Sequence, residues 1–195
     1  MNMMTLRNRL LRAIMGGFFM QSVLIGFGCA SRENMAQETQ PPNQSVPEMV
    51  GATNSPVHLD KSIGVVSVPL HQPTGPALAN TAQMRVTLNV ENITSDQPAP
   101  VYEVYLNVPP GDEPSKHPEL LVGTLPMFGL EETTRPDNQH PGNGLNYRLD
   151  ATAVFLRLSV TKDWDSKNLR VTFVPTGLVD WEPNVRVGRI SVYFG

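Results

Sequence analysis

A single cysteine, Cys29, is present in this 195-residue chain, so no disulfide forms within it and no thiolate cluster holds zinc or an iron–sulfur centre. The fold must rest on its own apolar core. Catalytic signatures are missing too. No H-E-x-x-H or H-x-x-x-H pair places two imidazoles on one helix face, no G-x-S-x-G presents a nucleophilic serine, and no glycine-rich loop precedes a helix to cradle phosphate. Long apolar runs are absent as well. The uncharged stretch 13–28 has only 16 residues and carries Gly16, Gly17, Gln21 and Ser22, whereas a membrane-spanning helix needs about 20 apolar residues.

What is present at the N-terminus is a targeting pattern. Arg7, Arg9 and Arg12 form a basic region with no acid before Cys29, and the short apolar stretch follows. Residues 1–28 therefore read as a signal peptide, set apart from the fold. The stretch ends Leu24-Ile25-Gly26-Phe27-Gly28-Cys29, with a small residue before the thiol, as in bacterial lipoprotein signals. Cys29 is expected to carry lipid. Each buried CH₂ of an acyl chain such as palmitate contributes about 0.8 kcal/mol to membrane binding. The alternatives are a cleaved secretory signal that leaves a free thiol, and uncleaved insertion. Ala30 and Ser31 lack the aspartate that retains some lipoproteins at an inner membrane, so the expected place is the outer membrane facing the periplasm.

The chain has 15 Lys+Arg against 18 Asp+Glu. Without the three arginines of residues 1–28 the balance is 12 against 18, a net charge of −6. An acidic exported domain is poorly matched to nucleic acid or to an anionic lipid surface. Residues 29–59 are polar and proline-bearing, with no apolar period, and read as the attachment site and a disordered linker. The domain is placed at residues 60–195.

That domain reads as strands and turns. The run Ile63-Gly64-Val65-Val66-Ser67-Val68 stops at Pro69. Met84, Val86, Leu88 and Val90 alternate with polar residues, the period of a strand with one wet face. Val104 and its neighbours form another strand, ended by Pro109-Pro110-Gly111-Asp112. Residues 120–128 are extended, with Pro126 suggesting an edge or bulge, and residues 130–144 read as a long polar loop. Leu145, Tyr147 and Leu149 alternate again. Asp150 offers an N-cap to a short helix through Val154 and Leu158, although Val154, Phe155 and Val160 also suit a strand. Residues 169–175 and 185–194 are strands, with Val187, Ile190, Val192 and Phe194 inward and Gly188 marking a bulge. Seven or eight short strands with at most one short helix predict an all-β fold, an antiparallel β-sandwich.

Candidate site residues are few. His58, His71, His117 and His140 all fall in loops or linker. His117 and His140 suggest either a composite metal site or two solvated loop histidines. Acidic pairs such as Glu131-Glu132 read as solvated. Trp164 and Trp181 stand in polar loops, suited to stacking on a sugar, to filling a partner's pocket, or to folding back over the sandwich end. No catalytic, cofactor-binding or metal residue is assigned.

Four segments carry a resemblance: Val101-Tyr102-Glu103-Val104-Tyr105-Leu106-Asn107-Val108-Pro109, Leu121-Val122-Gly123-Thr124-Leu125-Pro126-Met127-Phe128-Gly129, Leu169-Arg170-Val171-Thr172-Phe173-Val174-Pro175-Thr176-Gly177 and Val187-Gly188-Arg189-Ile190-Ser191-Val192. In that order, and with Leu149-Asp150-Ala151-Thr152 between the second and third, they resemble the C-terminal domain of tyrosinases and plant-type polyphenol oxidases. The resemblance implies a β-sandwich cap that packs over a separate copper-bearing helical domain and shields it. It implies the cap and not the oxidase, because the six copper-binding histidines of the catalytic domain have no counterpart here. The chain is thus expected not to be an enzyme. It reads as a membrane-tethered binding module that docks on a separate tyrosinase-like copper protein, with Met127, Phe128, Trp164 and Trp181 as partner-contact candidates. The alternative is a structural or adhesive envelope lipoprotein that binds another protein or a glycan.

Overall fold

The computed structural model describes residues 46–72, 84–138, 141–161, 164–177 and 179–195. Residues 1–45, which include the targeting segment, Cys29 and most of the expected linker, lie outside the described residues.

Among the described residues nine strands and two short α-helices follow in order: β1 (Glu48–Ala52), β2 (Val57–Leu59), β3 (Gly64–Pro69), β4 (Val86–Thr94), β5 (Val101–Leu106), β6 (Leu121–Leu125), α1 (Leu130–Thr134), β7 (Leu145–Asp150), α2 (Thr152–Ser159), β8 (Asn168–Thr176) and β9 (Val185–Phe194). One sheet has the order β1-β9-β4-β7, with β2 also paired to β9; the other has the order β3-β8-β5-β6. All pairings are antiparallel. The architecture is the all-β sandwich that the alternating runs predict.

The core forms where the two inner faces meet. Strand β4 turns Val86, Leu88 and Val90 inward, and β9 adds Ile190, Val192 and Phe194. The facing sheet contributes Tyr102, Val104 and Leu106 from β5 and Leu169, Val171 and Phe173 from β8. Burying one such side chain is worth about 1.5–3 kcal/mol, so a single continuous core holds the sheets without any covalent staple. Tyr102 is fully buried, and its hydroxyl donates to the Asp60 carbonyl at 2.8 Å. That bond removes the penalty of a buried, unpaired O–H.

Three expectations are corrected. The sequence alone extends the linker to residue 59, yet β1 and β2 pair with β9 and bury Val50 and Leu59. Their short apolar runs are too brief to show a period, and only the waiting edge of β9 makes them strands. The loop 130–144 opens with α1. The bulge lies across from Gly188 rather than on it. Strand β4 places Glu91 and Asn92 opposite the single residue Asn146 of β7, while β4 and β9 stay in register. Asn92 takes φ 54° there, and a Cβ on Gly188 would stand 2.8 Å from the Asn92 Cβ. The glycine admits the bulge of its neighbour.

Asp150 stands one residue before the N-cap of α2, which is Ala151 rather than the expected Asp150; its Oδ1 still accepts from the Thr152 N–H at 2.9 Å. The Thr152 hydroxyl first, and then the Thr152 N–H, hold the Asp150 carboxyl below its ordinary range. The helix buries Val154, Phe155 and Leu158. Phe155 meets Phe194 and Trp164 edge-on, with ring centroids 5.0 and 5.1 Å apart, closing one end of the sandwich.

Candidate functional site: three loops at one end of the sandwich

The opposite end of β4 runs into the segment 95–100, which meets two other loops. One is the turn 126–129 between β6 and α1; the other joins β8 to β9. Ser95 ties them together. It is 4% exposed, its N–H donates to Thr134 Oγ1 of α1 at 3.0 Å, and its hydroxyl lies 2.6 Å from the Pro183 carbonyl. The Gln97 N–H donates back to Ser95 Oγ at 3.1 Å. The Trp181 Nε1–H donates to the Pro98 carbonyl at 2.7 Å, which lays the indole across the first loop.

The turn 126–129 is pinned in its turn. The Tyr147 hydroxyl of β7 donates to the Pro126 carbonyl. Met127 points into the core, 6% exposed, and Leu130 follows it at 1%. Gly129 takes φ 75°, which only glycine adopts without cost, and the chain then enters α1. With Met127 and Leu130 as inward anchors, Phe128 is driven outward and stands 96% exposed. Beside it, Pro98, Ala99, Val101 and Pro126 line a depression of about 360 Å³. Val101 is 38% and Trp181 42% exposed. Around this apolar ground the charge is acidic. Asp96, Glu132 and Asp180 are exposed, whereas the nearby cations Lys61 and Arg135 are held by Glu182 and Glu131.

The four contact candidates therefore separate. Phe128 and Trp181 share this end. Met127, expected at the surface, is a core residue, because the tight turn sends adjacent side chains in opposite directions. Trp164 is half-buried against Phe155 at the other end of β4, so the two tryptophans do not form one surface. Sequence reasoning missed Ser95 and Tyr147, which position the loops. Neither lies in a motif, and their partners are 39 to 88 and 21 residues away.

The histidines do not converge. His58 and His71 are exposed, and His140 lies outside the described residues. His117 joins two short 3-10 turns, Pro114–Lys116 and Pro118–Leu120. Its Nε2 is 2.9 Å from Asp112 Oδ2 and its Nδ1 is 3.2 Å from Glu119 Oε1. Hydrogen bonding to Asp112 first, and to Glu119 next, raises its pKa above the ordinary value. Among the described residues no group of three or more His, Cys, Asp or Glu side chains is disposed to hold a metal ion.

Comparison with known proteins bears out the resemblance carried by the strand motifs. The chain is 28% identical over 166 residues to a protein named Tyrosinase HcTyr1 from Hahella sp. (strain CCB-MM4), covering 80% of this chain. It spans about a third, 34%, of that relative's length. Among solved structures, a latent aurone synthase (polyphenol oxidase) from natural source matches 73% of this chain and 26% of its own, at 18% identity and a TM-score of 0.48. Latent apple tyrosinase matches 77% of this chain and 27% of its own, at 17% identity and a TM-score of 0.38. Residues 46–195, which run from the edge of β1 to the last residue of the chain, match throughout, and the chain belongs to the family described as Domain of unknown function (DUF7868).

Proposed function

We propose that this domain is a non-catalytic cap, tethered through lipid on Cys29 to the envelope, that docks with its Phe128 end on a separate tyrosinase-like copper protein and shields it. The observation that carries this reading is Phe128 itself: an aromatic side chain 96% exposed on a turn anchored from both sides by Met127 and Leu130. A rigid, outward aromatic on an apolar platform loses little entropy on docking and fills a partner's pocket as a hot-spot residue does. The likeness to part of a tyrosinase supports the choice of partner. The acidic rim suits a partner mouth bordered by Lys and Arg.

The test is capture of the partner by the tagged full chain from native envelope extracts. A retained copper protein with tyrosinase activity, released when Phe128 is changed to Asp, is the expected result. If no copper oxidase is retained, or if Phe128→Asp retains it equally well, the docking reading fails. Mass spectrometry of the mature N-terminus tests the tether, which an unmodified Cys29 would overturn.

A further inference from the structure

Helix α2 is apolar on both of its sides. It buries Val154, Phe155 and Leu158 against the sandwich. Its solvent side holds Ala153, Leu156 and Val160, spaced three and four residues apart and so on one face, with Arg157 beside them. Leu156 is 39% and Val160 83% exposed. A helix on the surface of a globular domain ordinarily turns charged and polar groups outward, and one that is apolar all round is covered. Trp164, half-buried against Phe155, adds an indole to the same end.

The path of the chain points to the cover. Strand β1 begins at Glu48, which pairs with Phe194 at the end of β9, and Phe155 of α2 packs on the same Phe194. A Cβ on Gly195 would stand 3.2 Å from Pro47 Cγ. The chain therefore enters the domain at the α2 end, away from Phe128. Residues 30–45, between Cys29 and Val46, number 16 and span at most about 55 Å. A tether of that length lets either end of the domain reach a bilayer, so the chemistry of the two ends decides. At the Phe128 end the exposed Asp96, Glu132 and Asp180 gather negative charge, which anionic headgroups repel. At the α2 end, among the described residues, Arg85, Arg157 and Lys167 are interspersed with Glu48, Asp150 and Asp165. Neither sign prevails there, and the apolar face meets no electrostatic barrier.

We propose that the α2 end seats on the bilayer that holds the tether. Leu156 and Val160 enter the boundary between headgroups and acyl chains. Arg157 lays its stem along them and keeps its guanidinium among the headgroups. The Phe128 end is thereby held outward, where a partner meets it. This orientation rests on the lipid at Cys29 proposed above and goes beyond it, because a tether alone leaves the domain free to turn. The contact is made by apolar insertion and not by charge, so it does not require anionic lipid.

The lipidated full chain is reconstituted in vesicles of phosphatidylcholine, with and without phosphatidylglycerol. Cys29 is the one cysteine of the chain and its thiol is taken by lipid, so Val160→Cys or Phe128→Cys supplies a single site for an environment-sensitive fluorophore. Both positions are exposed, and thermal melts establish that each variant is folded. The probe at position 160 is expected to shift to the blue and to be quenched by nitroxide-bearing lipid in both kinds of vesicle. The probe at position 128 keeps its emission in water, and Leu156→Asp returns the probe at 160 to water. The proposal is overturned if the probe at 160 stays in water, or if both probes embed alike. Embedding that needs phosphatidylglycerol and is lost in moderate salt is charge attraction alone and also overturns it. So does a shift that grows with protein density on the vesicle, the mark of a second copy in place of lipid. Mass spectrometry of the same preparation separates the two readings. A lipidated Cys29 with the probe at 160 in water removes the seat and spares the tether, whereas an unmodified Cys29 overturns both.

Discussion

At the residue scale, single positions decide whether neighbours fit. Gly188→Ala puts a methyl group 2.8 Å from the Asn92 Cβ, and both strands are tied into β4–β9 pairing on either side. The strain cannot relax without breaking register. We expect a loss of about 1–3 kcal/mol, read as a lower denaturation midpoint with an unchanged m-value. Phe128 is the opposite case. It is nearly fully exposed, so Phe128→Ala leaves the unfolding free energy within about 0.5 kcal/mol of wild type. If the cap docks through it, the same change weakens partner binding by about 2 kcal/mol, roughly thirtyfold in Kd, measured by surface plasmon resonance. Stability retained with affinity lost is the combination a surface hot spot gives and a core residue does not.

At the element scale, the edge strands and the 3-10 turns carry the expectations. A chain beginning at residue 46 contains β1 and β2; one beginning at residue 60 lacks both. The shorter chain exposes the β9 edge and loses the burial of Val50 and Leu59, worth about 1.5–3 kcal/mol each. Circular dichroism and thermal melting should show a cooperative fold for the first and a strongly destabilised or aggregating one for the second. The turns around His117 depend on pH. Because the folded pKa is raised by Asp112 and Glu119, their contribution is fully present below the unfolded value of about 6.5. It fades as pH rises through the higher folded value. The His117 resonance should titrate with a midpoint above that of a free histidine, and Asp112→Asn should bring the midpoint down. A midpoint at or below 6.5 in the wild type would contradict the contact.

At the scale of the whole molecule, the acid excess of the chain and the acidic rim at the Phe128 end act together. Docking on a basic mouth should slow in association as salt rises, with dissociation little changed, because screening acts on approach more than on packed contacts. Stopped-flow association at about 50 and about 500 mM salt measures this, the Debye length falling well below 10 Å across that range. An association rate indifferent to salt would remove charge from the account.

The sequence by itself determined the class of fold, the main strands and the turn at Asp150. These rest on the period-2 alternation of β4, β7 and β9 and on a carboxylate two residues from its amide, and such signals are local. The tertiary structure alone decided that Met127 is core and Phe128 is not, that Trp164 and Trp181 occupy opposite ends, and that residues 48–59 belong to the sheet. Each of these depends on a contact that only the folded chain makes: Tyr147 holding Pro126, Phe155 holding Trp164, β9 offering its edge to β1 and β2. In a loop or at an edge, a side chain's exposure follows from what the folded chain brings beside it, and no local pattern encodes that.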